Sequence, residues 1–244
     1  RGCSTADRDT PNLVLLRDVA QRIESLLPRL AFLGGVVVDL FVTEPSARPS
    51  RATKDVDVVI DLLHYGQYAE TLREELLQFG LEEDMTKGAP RCRWRFRDAP
   101  RQIVDIMPTK GDVLGFSTEW YAEAFQSAKP FQVPGGPVIR LVTPPYFLAT
   151  KLTAFHDRGR QDPMISHDLE DIITVVDGRA SLVTELESAP PEVRAFVAAA
   201  WQGLLETGGL PALLEAHLGP DEASQARAGL VLSRIEAMSR ISHQ

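Results

Sequence analysis

Two aspartates one residue apart, inside an apolar stretch, are the residues of this chain best suited to chemistry. Asp55 and Asp57 lead into the run Val-Val-Ile at 58–60, and a second apolar stretch over 102–107 contains Asp105. Because successive side chains of a strand alternate between its two faces, Asp55 and Asp57 project from the same face. Asp105 joins them if the two strands are neighbours.

Three clustered carboxylates are costly for a fold unless a cation accompanies them. Two carboxylates about 4 Å apart repel each other by roughly 4 kcal/mol at an effective dielectric of 20, and a third adds to this cost. Divalent cations relieve the repulsion, and oxygen ligands of this kind suit Mg²⁺. The pattern therefore predicts that Asp55, Asp57 and Asp105 are metal ligands and catalytic residues of phosphoryl or nucleotidyl transfer, with two Mg²⁺ ions expected.

A pair of glycines precedes the acidic residues. Gly34 and Gly35 follow a short apolar stretch over 30–33, which we expect to be a buried strand, and they open a predicted helix over 35–42. Glycine lets backbone N–H groups approach an anion closely, and a helix N-terminus adds a favourable partial charge. We expect this junction to bind the triphosphate of a nucleotide.

The elements that must position these residues change in character near residue 143. Before it, strands and helices alternate; after Thr143 the pattern is almost wholly helical. The predicted strands are 30–33, 56–62, 91–97, 102–107, 130–133 and 138–142. The predicted helices are 13–27, 35–42, 66–79 and 119–126, one that begins at Pro144, and 164–177, 179–188, 190–206, 210–217 and 221–239.

This layout predicts an α+β protein with two domains. Residues 1–142 form a catalytic domain with a mixed sheet and flanking helices. Residues 143–244 form a helical domain, which we expect to cover the active-site cleft. A sheet holds ligands on rigid strands, and a second domain can shape the pocket for an acceptor.

Composition excludes some classes of function. The chain has 244 residues, of which 44% are hydrophobic and 25% charged, as in a globular protein. It shows neither an apolar run long enough to span a bilayer nor a charged-then-apolar leader, which predicts no membrane partner. Its two cysteines form no disulfide framework and no zinc spacing, which favours the cytoplasm. The net charge of −8 argues against a wholly basic nucleic-acid binder.

The ordered motifs resemble a known superfamily. A hydrophobic-Gly-Gly segment, the phrase RATKDVD at 51–57 and the triplet Val-Asp-Ile at 104–106 are similar to the DNA polymerase β-type nucleotidyltransferases. Within that superfamily, RATKDVD and the block PYFLATKL at 145–152 resemble the AbiEii-like nucleotidyltransferases. The segment HDLEDI at 167–172 resembles the closing motif of that group. The resemblance covers roughly residues 31–177, and the group includes toxins of bacterial toxin–antitoxin systems.

The resemblance implies a polymerase β-like fold and a set of roles. An NTP is the substrate, and its nucleoside monophosphate moves to an acceptor hydroxyl. Lys151 and Asp171 join the three aspartates as catalytic residues. The residues expected to bind the nucleotide are Gly34, Gly35, Lys54, Arg158 and Asp168.

The sequence departs from the superfamily pattern in two ways. Val36 follows the glycines where many members have Ser or Thr, and the gap from Gly35 to Asp55 is longer than in compact members. Both departures concern nucleotide binding rather than the three aspartates.

Two groups of charged residues have a structural interpretation beside the functional one. Lys151, Arg158, Asp168 and Asp171 either face the cleft or form a lattice of ion pairs between two helices. The alternating run Arg91-Cys92-Arg93-Trp94-Arg95-Phe96-Arg97 is either a solvated sheet face or a surface that contacts phosphate or RNA. The residue types alone leave both choices open.

Three functions are consistent with these observations. The first is a toxin that modifies RNA, with tRNA ends as the expected acceptor and a cognate antitoxin as partner; the arginine run favours it. The second is a small-molecule nucleotidyltransferase for aminoglycoside-like or lincosamide-like hydroxyls, which the acidic net charge favours. The third is a catalytically silent nucleotide-binding module, against which the intact, mutually repelling aspartates count.

Overall fold

The computed structural model describes residues 9–62, 71–114, 118–159 and 161–241. The described residues form two compact units. One contains Asp9–Val37 and Ala52–Thr143, and the other contains Val38–Arg51 and the chain from Pro144 onward. We call them the sheet unit and the helical unit. The chain passes between units at Thr143, and Val38–Arg51 belongs with the helices. The predicted domains 1–142 and 143–244, and the covering of a cleft, stay predictions.

The sheet unit is built on a mixed sheet of seven strands in the order β3-β4-β5-β2-β1-β7-β6. β2 lies at the centre, antiparallel to β1 and parallel to β5, while β1 pairs with β7 in parallel and the remaining pairs are antiparallel. This mixture confirms the predicted α+β class. The strands are β1 Leu30–Leu33, β2 Asp55–Ile60, β3 Leu81–Glu83, β4 Arg93–Phe96, β5 Ile103–Pro108, β6 Lys129–Gln132 and β7 Val138–Leu141.

Alternating apolar side chains give the sheet its core. All four residues of β1 are buried, and Trp94 and Phe96 of β4 are fully buried while Arg93 and Arg95, which alternate with them, are not. The six predicted strands are present, with bounds that differ by a few residues. β3 was not predicted, because three residues are too few to show an alternating pattern.

Helical segments flank the strands of the sheet unit. The first α-helix has Thr10 as its N-cap, whose hydroxyl accepts a hydrogen bond from the Leu13 N–H, and it ends at Arg22, earlier than predicted. A separate 3₁₀ segment contains Pro28, so the proline lies inside a tighter turn rather than ending one long helix. The segments are Pro11–Arg22, Glu24–Arg29 (3₁₀), Gly35–Val37 (3₁₀), Arg73–Gln78, Gly111–Leu114 and Tyr121–Ser127. Of the predicted helix 66–79, residues 66–70 lie outside the described residues.

The helical unit confirms the predicted helical pattern after Thr143. Its segments are Val38–Phe41, Pro144–Ala154 with a π-helical continuation over Phe155–Gly159, Pro163–Ile165 (3₁₀), His167–Gly178, Leu182–Glu187, Pro191–Glu206, Leu210–His217, Glu222–Gln225 and Ala228–Ser239. The predicted helix 221–239 is therefore two helices. Within the described ranges, no helix is both long and apolar enough to cross a lipid bilayer.

The segment 38–51 is fixed to the C-terminal end of the helix His167–Gly178. The N–H groups of Thr43 and Glu44 both donate to the Gly178 carbonyl oxygen, at 2.8 and 3.0 Å. A Cβ on Gly178 would lie 2.8 Å from Val42, so glycine is required for this close approach.

An ion-pair network, formed by Glu44, Asp177, Arg227 and Arg234, reinforces this helix end. Arg234 donates to the carbonyl oxygens of Val176 and Asp177, at 2.8 and 2.6 Å, and also to the Glu44 carboxylate. Cations near a helix C-terminus interact favourably with its dipole. Burial alone would raise the pKa of Glu44, but Arg227 and Arg234 outweigh it and lower that pKa.

Replacing Arg234 with Met should lower the free energy of unfolding by about 2 kcal/mol, because a mostly buried carboxylate and two carbonyl groups lose a charged donor. Urea-induced unfolding measures the change. Arg240→Met is the matched control: Arg240 is 74% exposed and pairs only with Glu236 one turn away among the described residues. Arg240→Met should lower the free energy of unfolding by less than about 0.5 kcal/mol. Equal losses in the two variants would contradict a structural role for the network.

Candidate active site

Sheet register brings the three predicted metal ligands together. Asp57 of β2 lies directly opposite Asp105 of β5 in parallel pairing, and Asp55 lies two residues earlier on the same strand. Asp105 is buried and the other two aspartates are partly buried. Since side chains at i and i+2 share a face, all three carboxylates belong to one side of the sheet.

An arginine from the neighbouring strand neutralises part of this acidic group. Arg93 of β4 lies opposite Asp105 and binds it with both arms of the guanidinium: Nε donates to Oδ1 at 2.9 Å and Nη2 to Oδ2 at 2.6 Å. Nη2 also donates to Oδ2 of Asp55 at 3.2 Å. Hydrogen bonding to Asp105 raises the pKa of Arg93 although burial opposes it. Sequence reasoning placed Arg93 only within an arginine run and missed this role.

Asp55 is also held by a hydrogen bond from the residues just before it in the chain. The Thr53 hydroxyl donates to Oδ1 of Asp55 at 2.7 Å, and the Thr53 N–H donates to the side-chain oxygen of Asn12 at 2.9 Å. Asn12 is buried in the first helix. Thr53 belongs to the RATKDVD phrase, two residues before Asp55, so the sequence motif itself contains the residue that makes this contact.

The Gly34 backbone lies against the Asp57 carboxylate. Gly34 has a φ of +77°, and a Cβ built on it would lie 1.8 Å from Oδ2 of Asp57. Glycine is therefore required both by conformation and by space. Gly35 opens a 3₁₀ turn followed by the four-residue helix Val38–Phe41, instead of the single predicted helix over 35–42. So short a helix has a weak dipole, and any anion here depends mainly on backbone N–H groups.

Cys92, beside Arg93, is not a nucleophile. Burial raises the pKa of its thiol to about 12, and the charges of Asp105 and Asp57 act in the same direction. The thiol is thus protonated at neutral pH and serves as a small buried side chain.

The acidic group fits a divalent cation in ligand type. Carboxylate oxygens are the ligands that Mg²⁺ prefers, and Asp57 and Asp105 lie side by side on rigid strands. With Arg93 bound to two of the three acids, however, the described residues contain no ready group of three His, Cys, Asp or Glu side chains for a metal ion. The guanidinium supplies one positive charge, which Asp55 and Asp105 share.

A second charged cluster lies in the helical unit. Lys151 of the helix Pro144–Ala154 donates from Nζ to Asp168 at 3.1 Å and to Asp171 at 2.7 Å. All three residues are buried. Burial alone would raise the pKa of Asp168, but Lys151 and Arg158 outweigh it and lower that pKa.

Two arginines complete the second cluster. Arg158, whose side chain is 73% exposed, binds Asp168 with Nε at 2.8 Å and Nη2 at 3.0 Å. Arg51 binds Asp171 with Nε at 3.0 Å and Nη2 at 3.2 Å, and sequence reasoning had given it no role. These contacts match the ion-pair alternative. Catalysis by Lys151 and Asp171, and nucleotide binding by Arg158 and Asp168, stay predictions.

The remaining basic residues divide into paired and unpaired ones. Arg95 forms ion pairs with Glu82 and Asp84 of the region around β3, and Arg97 lies 3.8 Å from Glu82. Lys54 and Arg91 are exposed and have no ion pair within the part of the chain that is described. The structure therefore shows no ion pair between Lys54 and the three aspartates.

Comparison with known families shows to which family the chain belongs. The sequence profile described as "Nucleotidyl transferase AbiEii toxin, Type IV TA system" matches residues 19–199, which is more than half of the 244 residues. The chain belongs to the AbiEii family. It is a nucleotidyltransferase, and the resemblance seen in the motifs is confirmed. Both charged clusters lie within the matched range.

A solved structure is also similar to this AbiEii protein. It is the crystal structure of an antigenic nucleotidyltransferase-like protein from Paracoccidioides brasiliensis, with 22% sequence identity and a TM-score of 0.46, covering 68% of this chain and 75% of that chain. No curated protein sequence matches the chain. The family assignment therefore rests on the profile match.

Replacing Gly34 with Ala should reduce nucleotidyl transfer by about 100-fold, because the new Cβ displaces the Asp57 carboxylate and small displacements at a reacting centre have effects of this size. Gly80→Ala is the matched control, since Gly80 also has a φ of +78° but an added Cβ meets nothing within 4 Å. Both variants should lose about 1–2 kcal/mol of stability from the left-handed conformation. Steady-state transfer and urea unfolding separate the two effects. Equal activity in both variants would mean that the contact with Asp57 is unimportant.

Replacing Asp168 with Asn should lower the free energy of unfolding by about 2 kcal/mol at pH 7, because Lys151 and Arg158 lose a charged partner. A carboxyl whose folded pKa is lowered stabilises the fold above its unfolded pKa of about 3.9, and this stabilisation disappears as the pH falls through the folded pKa. The difference from the native protein should therefore shrink below about pH 4, as measured by urea unfolding.

Asp157→Asn controls for the loss of a surface charge, since the Asp157 side chain is 69% exposed beside His156. It should change stability by less than about 0.5 kcal/mol. A difference between Asp168→Asn and the native protein that stays constant at low pH would show that Asp168 acts through packing rather than charge.

Proposed function

We propose that this protein transfers a nucleoside monophosphate from an NTP to a hydroxyl of tRNA, with magnesium, as a toxin held in check by a cognate antitoxin. The observation that carries the proposal is the register of β2 and β5, which sets Asp57 beside Asp105 with Asp55 on the same face. The family supplies the type of reaction and the toxin–antitoxin context. The metal, the tRNA and the antitoxin are the proposed additions.

The residues divide the chemistry as follows. Asp55, Asp57 and Asp105 would hold magnesium, which supplies charge neutralisation at the phosphates and lowers the pKa of the acceptor hydroxyl. Asp105 takes the hydroxyl proton. The acceptor oxygen forms a bond to the α-phosphorus, the bond from that phosphorus to the bridging oxygen breaks, and pyrophosphate leaves with the electron pair. The Gly34 turn keeps Asp57 in place during the transfer.

Positioning accounts for most of the acceleration in such a reaction. The aspartates lie on paired strands rather than on loops, so their side chains start from a rigid backbone. Thr53 fixes one oxygen of Asp55 by a hydrogen bond. We propose that Lys151 and Asp171 contribute by positioning, because their charged atoms are bound to each other and to Asp168 and Arg51.

A small-molecule acceptor is the second candidate, and one observation favours it. Fewer arginines of the run are available to contact phosphate than its sequence indicates. Arg95 and Arg97 pair with acidic residues, and Arg93 pairs with the aspartates. Together with the net charge of −8, this reduces the positive surface that an RNA would contact. A cationic aminoglycoside suits an acidic protein better.

Replacing Asp57 with Asn should lower transfer by at least about 100-fold, because a charged ligand at the reacting phosphate is lost. Stability should be unchanged or higher, since one repelling carboxylate is removed. The assay supplies each labelled NTP with Mg²⁺ and either total tRNA or a panel of aminoglycosides and lincosamides. Asp61→Asn, at the other end of β2 and bound to Thr109, is the matched control and should transfer normally.

The acceptor that becomes labelled decides between the two candidates. Label on tRNA supports the proposed toxin activity, and label on a drug establishes the second candidate. Normal transfer by Asp57→Asn would refute the assignment of the aspartates.

A further inference from the structure

We propose that Arg93 keeps divalent cations out of the aspartate group until a nucleotide is bound, so that metal and NTP bind in a coupled way. This inference rests on the proposed function, because it concerns the metal that the aspartates are proposed to hold. Arg93 is a positioning residue: it acts through the carboxylates of Asp105 and Asp55 rather than on the substrate.

The first argument is the number of ligand atoms that Arg93 uses. It donates to both oxygens of Asp105 and to Oδ2 of Asp55, at 2.9, 2.6 and 3.2 Å. These are oxygens that a divalent cation would need. A cation at the same oxygens would also lie next to a guanidinium of like charge, and this repulsion is strong where the carboxylate is buried.

The second argument is that Arg93 cannot yield by losing its proton. Arginine is protonated at all physiological pH values. The guanidinium must therefore move before a cation gains full access to Asp105. A planar fork that binds a carboxylate with two parallel hydrogen bonds holds its position well, so this movement is unfavourable in the free protein.

The third argument is that the sheet unit has a place for the displaced side chain. Arg93 also lines an open cavity of about 430 Å³, beside Glu83, Asp84, Met85 and Arg91. Asp84 accepts hydrogen bonds from Thr86, and its pKa is lowered by them, so it is ionised at neutral pH. Glu83 and Asp84 already pair with Arg73 and Arg95, so a guanidinium that leaves the aspartates would share these carboxylates with them.

Nucleotide changes the balance because its phosphates carry negative charge. A triphosphate offsets the positive charge of an incoming cation, so the cation competes better with the guanidinium of Arg93 for the carboxylate oxygens. Binding of the cation and of the nucleotide then favour each other, and by linkage the coupling acts equally in both directions. Without Arg93, the aspartates alone would attract the cation and the coupling would decrease.

The neighbouring Arg95 provides a matched control. It lies two residues further along β4, on the same face as Arg93, and is bound to Glu82 and Asp84 instead of to the aspartates. Its removal deletes one positive charge from the same strand without freeing an oxygen of Asp55 or Asp105.

The experiment measures binding of Mn²⁺ by electron paramagnetic resonance, without nucleotide and with a non-hydrolysable NTP analogue. Without nucleotide, Arg93→Gln should bind Mn²⁺ about tenfold tighter than the native protein, a coupling of ordinary size. Arg95→Gln should bind as the native protein does, and Arg93→Lys should lie between. The analogue should tighten Mn²⁺ binding in the native protein and have little effect in Arg93→Gln.

Circular dichroism and thermal unfolding in EDTA establish that the variants are folded. Adding Asp57→Asn to Arg93→Gln should abolish the gain in Mn²⁺ affinity. This result would assign the bound ion to the aspartate group. Equal or weaker Mn²⁺ binding by folded Arg93→Gln would overturn the proposal, as would an equal gain in Arg95→Gln. The outcome is independent of transfer: tight Mn²⁺ binding with no labelled acceptor leaves Arg93 as proposed and refutes only the proposed function.

Discussion

The mutual repulsion of three carboxylates on adjacent strands is the constraint on which the rest of this molecule depends. β2 and β5 are parallel neighbours in the centre of the sheet, and their register sets Asp57 directly against Asp105. A fold selected for stability alone would place apolar or neutral side chains there, as it does at Val56 and Val104 on the opposite face. The sheet therefore stabilises an arrangement that is unfavourable by itself, and a positive charge must accompany it.

The carboxylate clusters of the two units are paired with different numbers of cations. In the helical unit, Asp168 and Asp171 face three cations, Lys151, Arg158 and Arg51, so that cluster is neutralised by its own side chains. In the sheet unit, Asp55 and Asp105 share the single charge of Arg93, with Asp57 beside them. The ion pairs therefore give Asp168 and Asp171 three cations, but give Asp55 and Asp105 one. Under the proposed function, this difference favours a metal ion at the aspartates, while the helical cluster is suited to holding its residues in place.

Local patterns were sufficient to predict most of the elements but not the contacts between them. Alternating apolar residues located β2 and β5, and the isolated aspartates in each marked the site. The partnership of Arg93 with Asp105 depends on the register of β4 against β5, which joins residues that no short sequence window compares. The same holds for Arg51 and Asp171, which are 120 residues apart. Phosphate binding by Gly34 stays a prediction, and the close approach of this position to the Asp57 carboxylate was not apparent from the sequence.

The ion pairs of the arginine run reduce what the sheet can contribute to acceptor binding. Four arginines alternate with buried side chains over residues 91–97, which include β4, and this pattern indicates a cationic face. Three of them are bound to carboxylates, and Arg91 is the exposed member without an ion pair in the described part of the run. Affinity for phosphate backbones grows with the number of cations that are free to contact them. The strand therefore offers little general attraction for RNA. Under the proposed function, selection of the acceptor must depend more on how its hydroxyl is presented to Asp105 than on charge.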